Sequence, residues 1–388
     1  MKLLYFTNQY VDTARMSIST EIEMSKALRQ RGVEVYEVYY YENTPALLAH
    51  NPGHIFFMKS VGERADMLLL TYQRLLLALK LRPDFVLSTN GTVFSLIPLA
   101  IANRLLNVGP KVVLDIRSVP VGMELRKKGP RYGWRYHITT WLAARLFSGV
   151  TAISKLLSSM LVDEYKIAPQ KADYWASGAD IAVFRPGCES NVRSMLGLDG
   201  RFVILYHGSI SPRRNVEHVI DAIRILKDEI PDVFFMILGA EVKQRKVQAM
   251  ISENGLEKHV CLLPPVPHDE VPKYIAASDI GIIPLPSIEY WNISNPIKLL
   301  EYLAMGKVVL ATDIPAHRDV MGDSPCAIYM SDSQPSTIAR AIRQAYELRE
   351  ELPARGRHGR EIIVSQYQWV HQADRLIAFL SGLDGKKQ

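Results

Sequence analysis

Asn295-Pro296-Ile297-Lys298-Leu299-Leu300-Glu301-Tyr302, followed by Leu303-Ala304-Met305-Gly306-Lys307, begins a helix directly after an irregular loop. Asn295 is a good N-cap, and Pro296 fits the first helical position, where its missing N–H costs nothing. The free N–H groups and positive dipole end of such a helix suit an anion. Lys298 places a full positive charge in a first turn that favours negative ones, which points to an anionic partner from outside. Asn295, Lys298 and Glu301 are spaced three apart and share one face. Leu299, Leu300 and Leu303 turn the other way, toward a core. A cation at the helix mouth with a carboxylate one turn deeper suits a nucleotide: the diphosphate on the mouth, at Asn295, Pro296 and Ile297, and the ribose hydroxyls on Glu301. The plain alternative is a surface ion pair between Lys298 and Glu301.

The surrounding chain has the size and balance of about two globular domains: 388 residues, 48% hydrophobic and 22% charged. A net charge of +6 fits an anionic ligand or a membrane surface and is too weak to argue nucleic acid. The three cysteines, Cys188, Cys261 and Cys326, are far apart, without C-x-x-C or metal spacing, which reads as reduced cytosolic thiols. Met1-Lys2 leads straight into Leu3-Leu4-Tyr5-Phe6, a first strand and not a signal peptide. The most apolar stretches, 67–81 and 93–102, are too interrupted or too short to span a bilayer.

Strand patterns at 3–6, 33–40, 85–88, 112–114, 149–152 and 172–175 alternate with helical patterns at 20–31, 65–81, 93–106, 132–147 and 155–165. The alternation restarts with strands at 202–207, 234–238, 260–262, 280–283, 308–311 and 328–330, and the last helices are expected at 353–365 and 369–380. This predicts an α/β fold of two doubly wound parallel sheets. The joint is expected at Phe184-Arg185-Pro186-Gly187. That gives a first domain over 1–184, with 366–388 packing back on it, and a second over 185–365.

Ligands of such sheets bind outside the carboxyl ends of the strands. Thr7-Asn8-Gln9-Tyr10, then Arg15, follow the first strand, and Arg117 follows the strand at 112–114. Gly208-Ser209-Ile210-Ser211-Pro212-Arg213-Arg214-Asn215 follows 202–207, with Asn215 able to cap the next helix. This loop repeats the logic of 295–301: a glycine for close approach, two arginines and a helix N-terminus. Alone it could be a turn with solvated arginines. Two cationic helix mouths after strand ends point instead to one diphosphate. No G-x-G, P-loop, D-x-D, H-E-x-x-H or G-x-S-x-G occurs. A departing diphosphate would then be stabilised by fixed cations and backbone N–H groups, without metal or cofactor.

At these residues the chain resembles the retaining family 4 glycosyltransferases (glycosyl transferases group 1). Tyr206-His207-Gly208-Ser209 to Arg214-Asn215 is similar to their glycine loop, and Ser177-Gly178-Ala179-Asp180 to Phe184-Arg185-Pro186 to their hinge approach. Ala152-Ile153-Ser154-Lys155 is similar to a strand end, 295–306 with Val308-Val309-Leu310-Ala311-Thr312 to the nucleotide-sugar loop and helix, and the Trp369 region to the returning C-terminal helix. The departures are Ser209 where the family has an arginine, Arg214 for its lysine, Ile293 for the first glutamate of E-x7-E, and Arg117 where many members have a histidine. Glu289 is the candidate replacement for the missing glutamate.

The resemblance implies the GT-B fold, two Rossmann-like domains facing each other across a cleft. It implies transfer of a sugar, with retention, from a nucleoside diphosphate sugar to a hydroxyl of a glycan or lipid-linked acceptor. Arg214, Lys298, Glu301 and Arg117 are the expected catalytic group. Gly208, Ser209, Arg213, Leu263, Val266, Asn295, Pro296 and Ile297 are expected on the donor, and Asn8, Gln9, Tyr10 and Arg15 on the acceptor. The cation-rich stretch 126–135, with Tyr132 and Trp134, is expected to touch a membrane from the cytoplasmic side. A nucleotide-sugar 2-epimerase and a non-catalytic nucleotide-sugar-binding subunit are the competing readings.

Overall fold

A computed structural model shows two parallel sheets, and the chain divides into two compact units. The structure describes residues 1–10, 20–41, 54–59, 63–119, 133–211, 213–239 and 244–384. The first unit is Met1–Ser177 with Trp369–Gln388, and the second is Gly178–Gln368.

The first unit runs β1 (Lys2–Tyr10), α1 (Thr20–Gln30), β2 (Glu34–Tyr41), β3 (Ile55–Lys59), α2 (Glu63–Leu81), β4 (Phe85–Ser88), α3 (Val93–Leu106), β5 (Lys111–Ile116), α4 (Trp134–Leu146), β6 (Gly149–Ala152), α5 (Lys155–Tyr165) and β7 (Ala172–Tyr174). The second runs α6 (Val192–Leu196), β8 (Phe202–His207), α7 (Val216–Leu226), β9 (Val233–Leu238), α8 (Gln244–Glu253), β10 (Val260–Leu263), α9 (Val271–Ala277), β11 (Ile280–Ile283), α10 (Glu289–Asn292), α11 (Ile297–Ala304), β12 (Val308–Thr312), α12 (Pro315–Met321), β13 (Ala327–Met330), α13 (Pro335–Glu347) and α14 (Leu352–Gln366). The last helix, α15 (Trp369–Leu383), belongs to the first unit.

The sheet orders are β3-β2-β1-β4-β5-β6-β7 and β10-β9-β8-β11-β12-β13. Each reverses direction once, between β1 and β4 and between β8 and β11, and a reversal of this kind opens a crevice at the strand ends. In the second sheet the pairing of Ile280 with Ile204 and Gly281 with Leu205 fixes that register. Along β8, Phe202, Ile204 and Tyr206 enter one core with α7 and α13, while Val203 and Leu205 enter the other with α11. Period 2 therefore turns the last residue, His207, toward α11. Helix α7 buries Val216, Val219, Ile220, Ile223 and Leu226, a clear 3.6-residue stripe.

Phe184 and Ala179 are buried in the second unit's core, and Arg360 of α14 donates to the carbonyls of Ile181, Phe184 and Ala304. The stretch 184–187 thus lies inside the second unit, and the chain changes unit at Ser177/Gly178 and Gln368/Trp369. In the first unit Ala373, Leu376 and Leu380 of α15 pack with Met24, Ala27 and Leu28 of α1. Two further differences from the sequence expectation concern strands. β1 continues through Tyr10, with an irregular register after Phe6, where a loop was expected, and β3 was not anticipated.

Candidate functional site

Two glycines bring the β8 and β9 loops together. Gly208 has φ +109 and Gly239 φ +99, a region that favours glycine, and a Cβ on Gly239 would lie 3.3 Å from the Gly208 backbone. Gly208 N–H donates to the Leu238 carbonyl at 2.8 Å. On the other side of Gly208 lies Lys298, whose Nζ would stand 3.1 Å from a Cβ placed there.

The Lys298 ammonium is buried, has no hydrogen-bond partner among the described residues, and sits 4.1 Å from the Tyr206 ring centroid. Burial is the main force pushing its pKa well below the usual lysine value. Arg214 adds repulsion, and Glu301 opposes both. The Arg214 guanidinium stacks 5.1 Å from the Trp291 centroid, and Trp291 Nε1 donates to the Arg213 carbonyl at 2.9 Å. Trp291 on α10 thus holds the arginine loop, and Tyr206 braces it from below by donating to the Ser209 carbonyl at 2.9 Å.

Glu301, one turn into α11, is buried and faces two histidines: Oε1 lies 2.6 Å from His268 Nε2, and Oε2 lies 3.3 Å from His207 Nε2. Burial alone would raise its pKa. The His268 hydrogen bond and the nearby His207, His268 and Lys298 outweigh it, so the carboxyl stays below its ordinary value. His207 is pulled down to about 4, chiefly by burial, and is neutral near pH 7. No Lys298–Glu301 ion pair forms among the described residues, so the surface-pair alternative fails. The next residue, Tyr302, accepts from His207 N–H at 3.2 Å and donates to the Leu205 carbonyl at 2.8 Å, which locks α11 to β8.

The N-cap of α11 is Pro296, with extended ψ of 110, and not Asn295. Proline at the boundary already supplies the extended entry, so Asn295 is buried one residue before it. Asn215 does occupy the N-cap position of α7, but its side chain donates to Ser333 Oγ at 2.7 Å instead of capping the helix. Ile297 opens α11 half-buried, and Leu263 and Val266 are half-buried against the core at the β10 end. Ser209 and Arg213 are exposed.

In the first unit, Arg117 follows β5. Its guanidinium lies 3.4 Å over the Trp175 ring and donates from Nη1 to the Trp175 carbonyl at 2.6 Å. Nε and Nη2 are buried without hydrogen-bond partners among the described residues. Arg117 lines a cavity of about 430 Å³ with Glu21, Asn90, Asp115 and Arg135. Asp115 accepts from Tyr5 Oη at 2.7 Å and Thr151 Oγ1 at 2.8 Å, which fixes the floor of that cavity. Asn8, Gln9 and Tyr10 lie on β1 with their side chains outside the described residues. Arg15 and the stretch 126–132 also lie outside them. Trp134 and Arg135 are exposed at the start of α4.

The structure thus brings Gly208, Arg214, Lys298 and Glu301 together and holds Arg117 over its own cavity. Sequence reasoning missed His207, His268 and Trp291 as their supports. His268 and Glu301 are 33 residues apart, so no motif spacing signals them. His207 was visible as the last position of an alternating strand.

Residues 191–361 match the family described as Glycosyl transferases group 1. The chain is 26% identical over 230 residues to D-inositol 3-phosphate glycosyltransferase of Jonesia denitrificans, which covers 55% of this chain and 52% of that protein. It is 23% identical over 250 residues to 2-deoxystreptamine glucosyltransferase of Streptomyces kanamyceticus, 63% of each. The chain therefore spans between about half and under two thirds of the length of these curated relatives. Among solved structures, Anabaena Alr3699/HepE in complex with UDP-glucose is similar with a TM-score of 0.75 and 18% identity, over 98% of this chain and 99% of that one. That likeness shows the fold, the Rossmann-like halves of GT-B. The part of the chain that matches the glycosyl transferases group 1 family, residues 191–361, carries both cationic loops and α11.

Proposed function

We propose that this chain is a glycosyltransferase that moves a sugar from a nucleoside diphosphate sugar to an acceptor hydroxyl, with retention of configuration and without a metal. The observation that carries the reading is the buried Lys298 side-chain nitrogen, without a hydrogen-bond partner among the described residues, beside Gly208 at the crevice between β8 and β11. A buried charge without a partner is costly, and a diphosphate at this crevice would supply the partner. Relatives named as glycosyltransferases and a fold neighbour holding UDP-glucose support a nucleotide-sugar donor.

In the reaction the bond from the anomeric carbon to the diphosphate oxygen breaks, and both electrons leave with the diphosphate. The acceptor oxygen bonds to that carbon on the same face, and its proton passes to the departing phosphate. Negative charge grows on the leaving group, where Lys298, Arg214 and the N-terminal N–H groups of α11 meet it. Glu301 takes the ribose hydroxyls, held in place by His268. Arg117, with Asn8, Gln9, Tyr10 and Arg15, serves a glycan or lipid-linked acceptor. A lipid-linked acceptor places the enzyme at the cytoplasmic face of a membrane, with 126–135 as a basic contact.

Glu301→Gln tests the reading. Charge-assisted hydrogen bonds are worth about 1.5–3 kcal/mol each, so calorimetry should show nucleoside diphosphate binding weakened at least about tenfold with the fold retained. Unchanged affinity would reduce Glu301 to an anchor for two histidines.

A further inference from the structure

Three neighbouring helices of the first unit turn a face to solvent that carries apolar side chains and cations. On α2 the exposed apolar residues are Leu69, Tyr72, Leu76 and Leu79, an i, i+3, i+7, i+10 stripe, followed by exposed Lys80 and Arg82. On α3 they are Phe94, Pro98, Ile101, Leu105 and Leu106, with Arg104 beside the last two. On α4 they are Trp134, Ile138 and Trp141, with Arg135 and Arg145. Helix α2 packs on α3 and α3 on α4, so the stripes adjoin. Residues 69–82, 93–109 and 134–147 contain no Asp or Glu. Leu105 is 73% exposed and Leu79 64%, which a merely solvated face does not need. The contrast within the chain is α13, whose exposed positions are Ser336, Arg340, Gln344 and Glu347.

We propose that this α2–α3–α4 face docks on an anionic lipid bilayer. Leucines and isoleucine enter the boundary between headgroups and acyl chains, the tryptophans and tyrosine sit at headgroup level, and the cations meet lipid phosphates. Charge decides between a bilayer and a second copy. A two-fold contact would set this acid-free face against itself, so that Arg104 and Arg145 would meet no acid from the second copy. An anionic surface satisfies the apolar and the cationic residues together. No described helix is long and apolar enough to cross a membrane, so these helices would lie on it. The face shares only Trp134 and Arg135 with the basic stretch 126–135, and the docking does not rest on the donor reading.

The test is co-sedimentation with vesicles of phosphatidylcholine, alone or with phosphatidylglycerol. The chain should sediment only with the anionic vesicles and less at high salt. Leu76→Ser combined with Leu79→Ser and Trp141→Ser should lower binding at least about tenfold with an unchanged melting temperature. If that variant melts early, Arg104→Glu with Arg145→Glu decides, and it should lose the same binding. Absent sedimentation, equal binding to both vesicles, or undiminished binding by these variants would overturn the proposal. So would a wild-type dimer that the serine variant dissociates, since the face would then belong to a second copy.

Discussion

The Lys298 side-chain nitrogen is buried with no hydrogen-bond partner among the described residues, and it gives the sharpest predictions at the scale of one residue. Lys298→Ala and Arg214→Ala should each lower kcat more than they raise donor KM, because the charge they answer grows in the transition state. Loss of one such donor typically costs about 10²–10³ in rate. A pure KM effect in steady-state kinetics would make both residues simple donor anchors. The second prediction concerns protons. Burial, then Arg214, favours the neutral amine in the free protein, and a bound diphosphate favours the ammonium. Between the lowered free pKa and the higher bound pKa, binding should therefore take up a proton, and affinity should fall as pH rises through that window. Calorimetry in two buffers of different ionisation enthalpy measures the uptake, and identical heats in both would contradict it.

At the scale of elements, the site depends on how α11 seats against the second sheet. A Cβ on Gly281 of β11 would lie 2.6 Å from the Tyr302 ring, and Tyr302 is the residue that ties α11 to Leu205 and His207. Gly281→Ala should cost about 1–3 kcal/mol by overpacking. It should also weaken nucleoside diphosphate binding, since Glu301 and Lys298 ride on the displaced helix. Urea denaturation with an unchanged midpoint would refute this seating. The same helix shows where sequence reading stops. Its apolar positions, Leu299, Leu300 and Leu303, announced the buried side, and all three are buried. Its first residue did not follow, because Asn295 and Pro296 both suit an entry, and backbone ψ at Pro296 chooses between them. β3 escaped for a related reason. Ile55-Phe56-Phe57-Met58-Lys59 is a short apolar run at a sheet edge, and periodicity alone does not separate such a strand from a helix segment.

At the scale of the whole molecule, alternating strand and helix patterns sufficed for two parallel sheets, and Gly208 and Lys298 could be named from strand ends before the fold was known. The partners of those residues could not. His268 reaches Glu301 across 33 residues and Trp175 reaches Arg117 across 58, distances set by topology and not by any local pattern. The α2–α3–α4 face was hidden too, because apolar helices read as buried until exposure is seen. The central claim is that the second unit binds a nucleoside diphosphate through Lys298. It is tested most directly by thermal denaturation in EDTA with a panel of nucleoside diphosphates, on the wild type and on Lys298→Ala. At least one nucleotide should stabilise the wild type, by about 2.7 kcal/mol at a hundredfold excess over its Kd, and should leave Lys298→Ala unmoved. No stabilisation by any nucleoside diphosphate, or an equal shift in the variant, would contradict it.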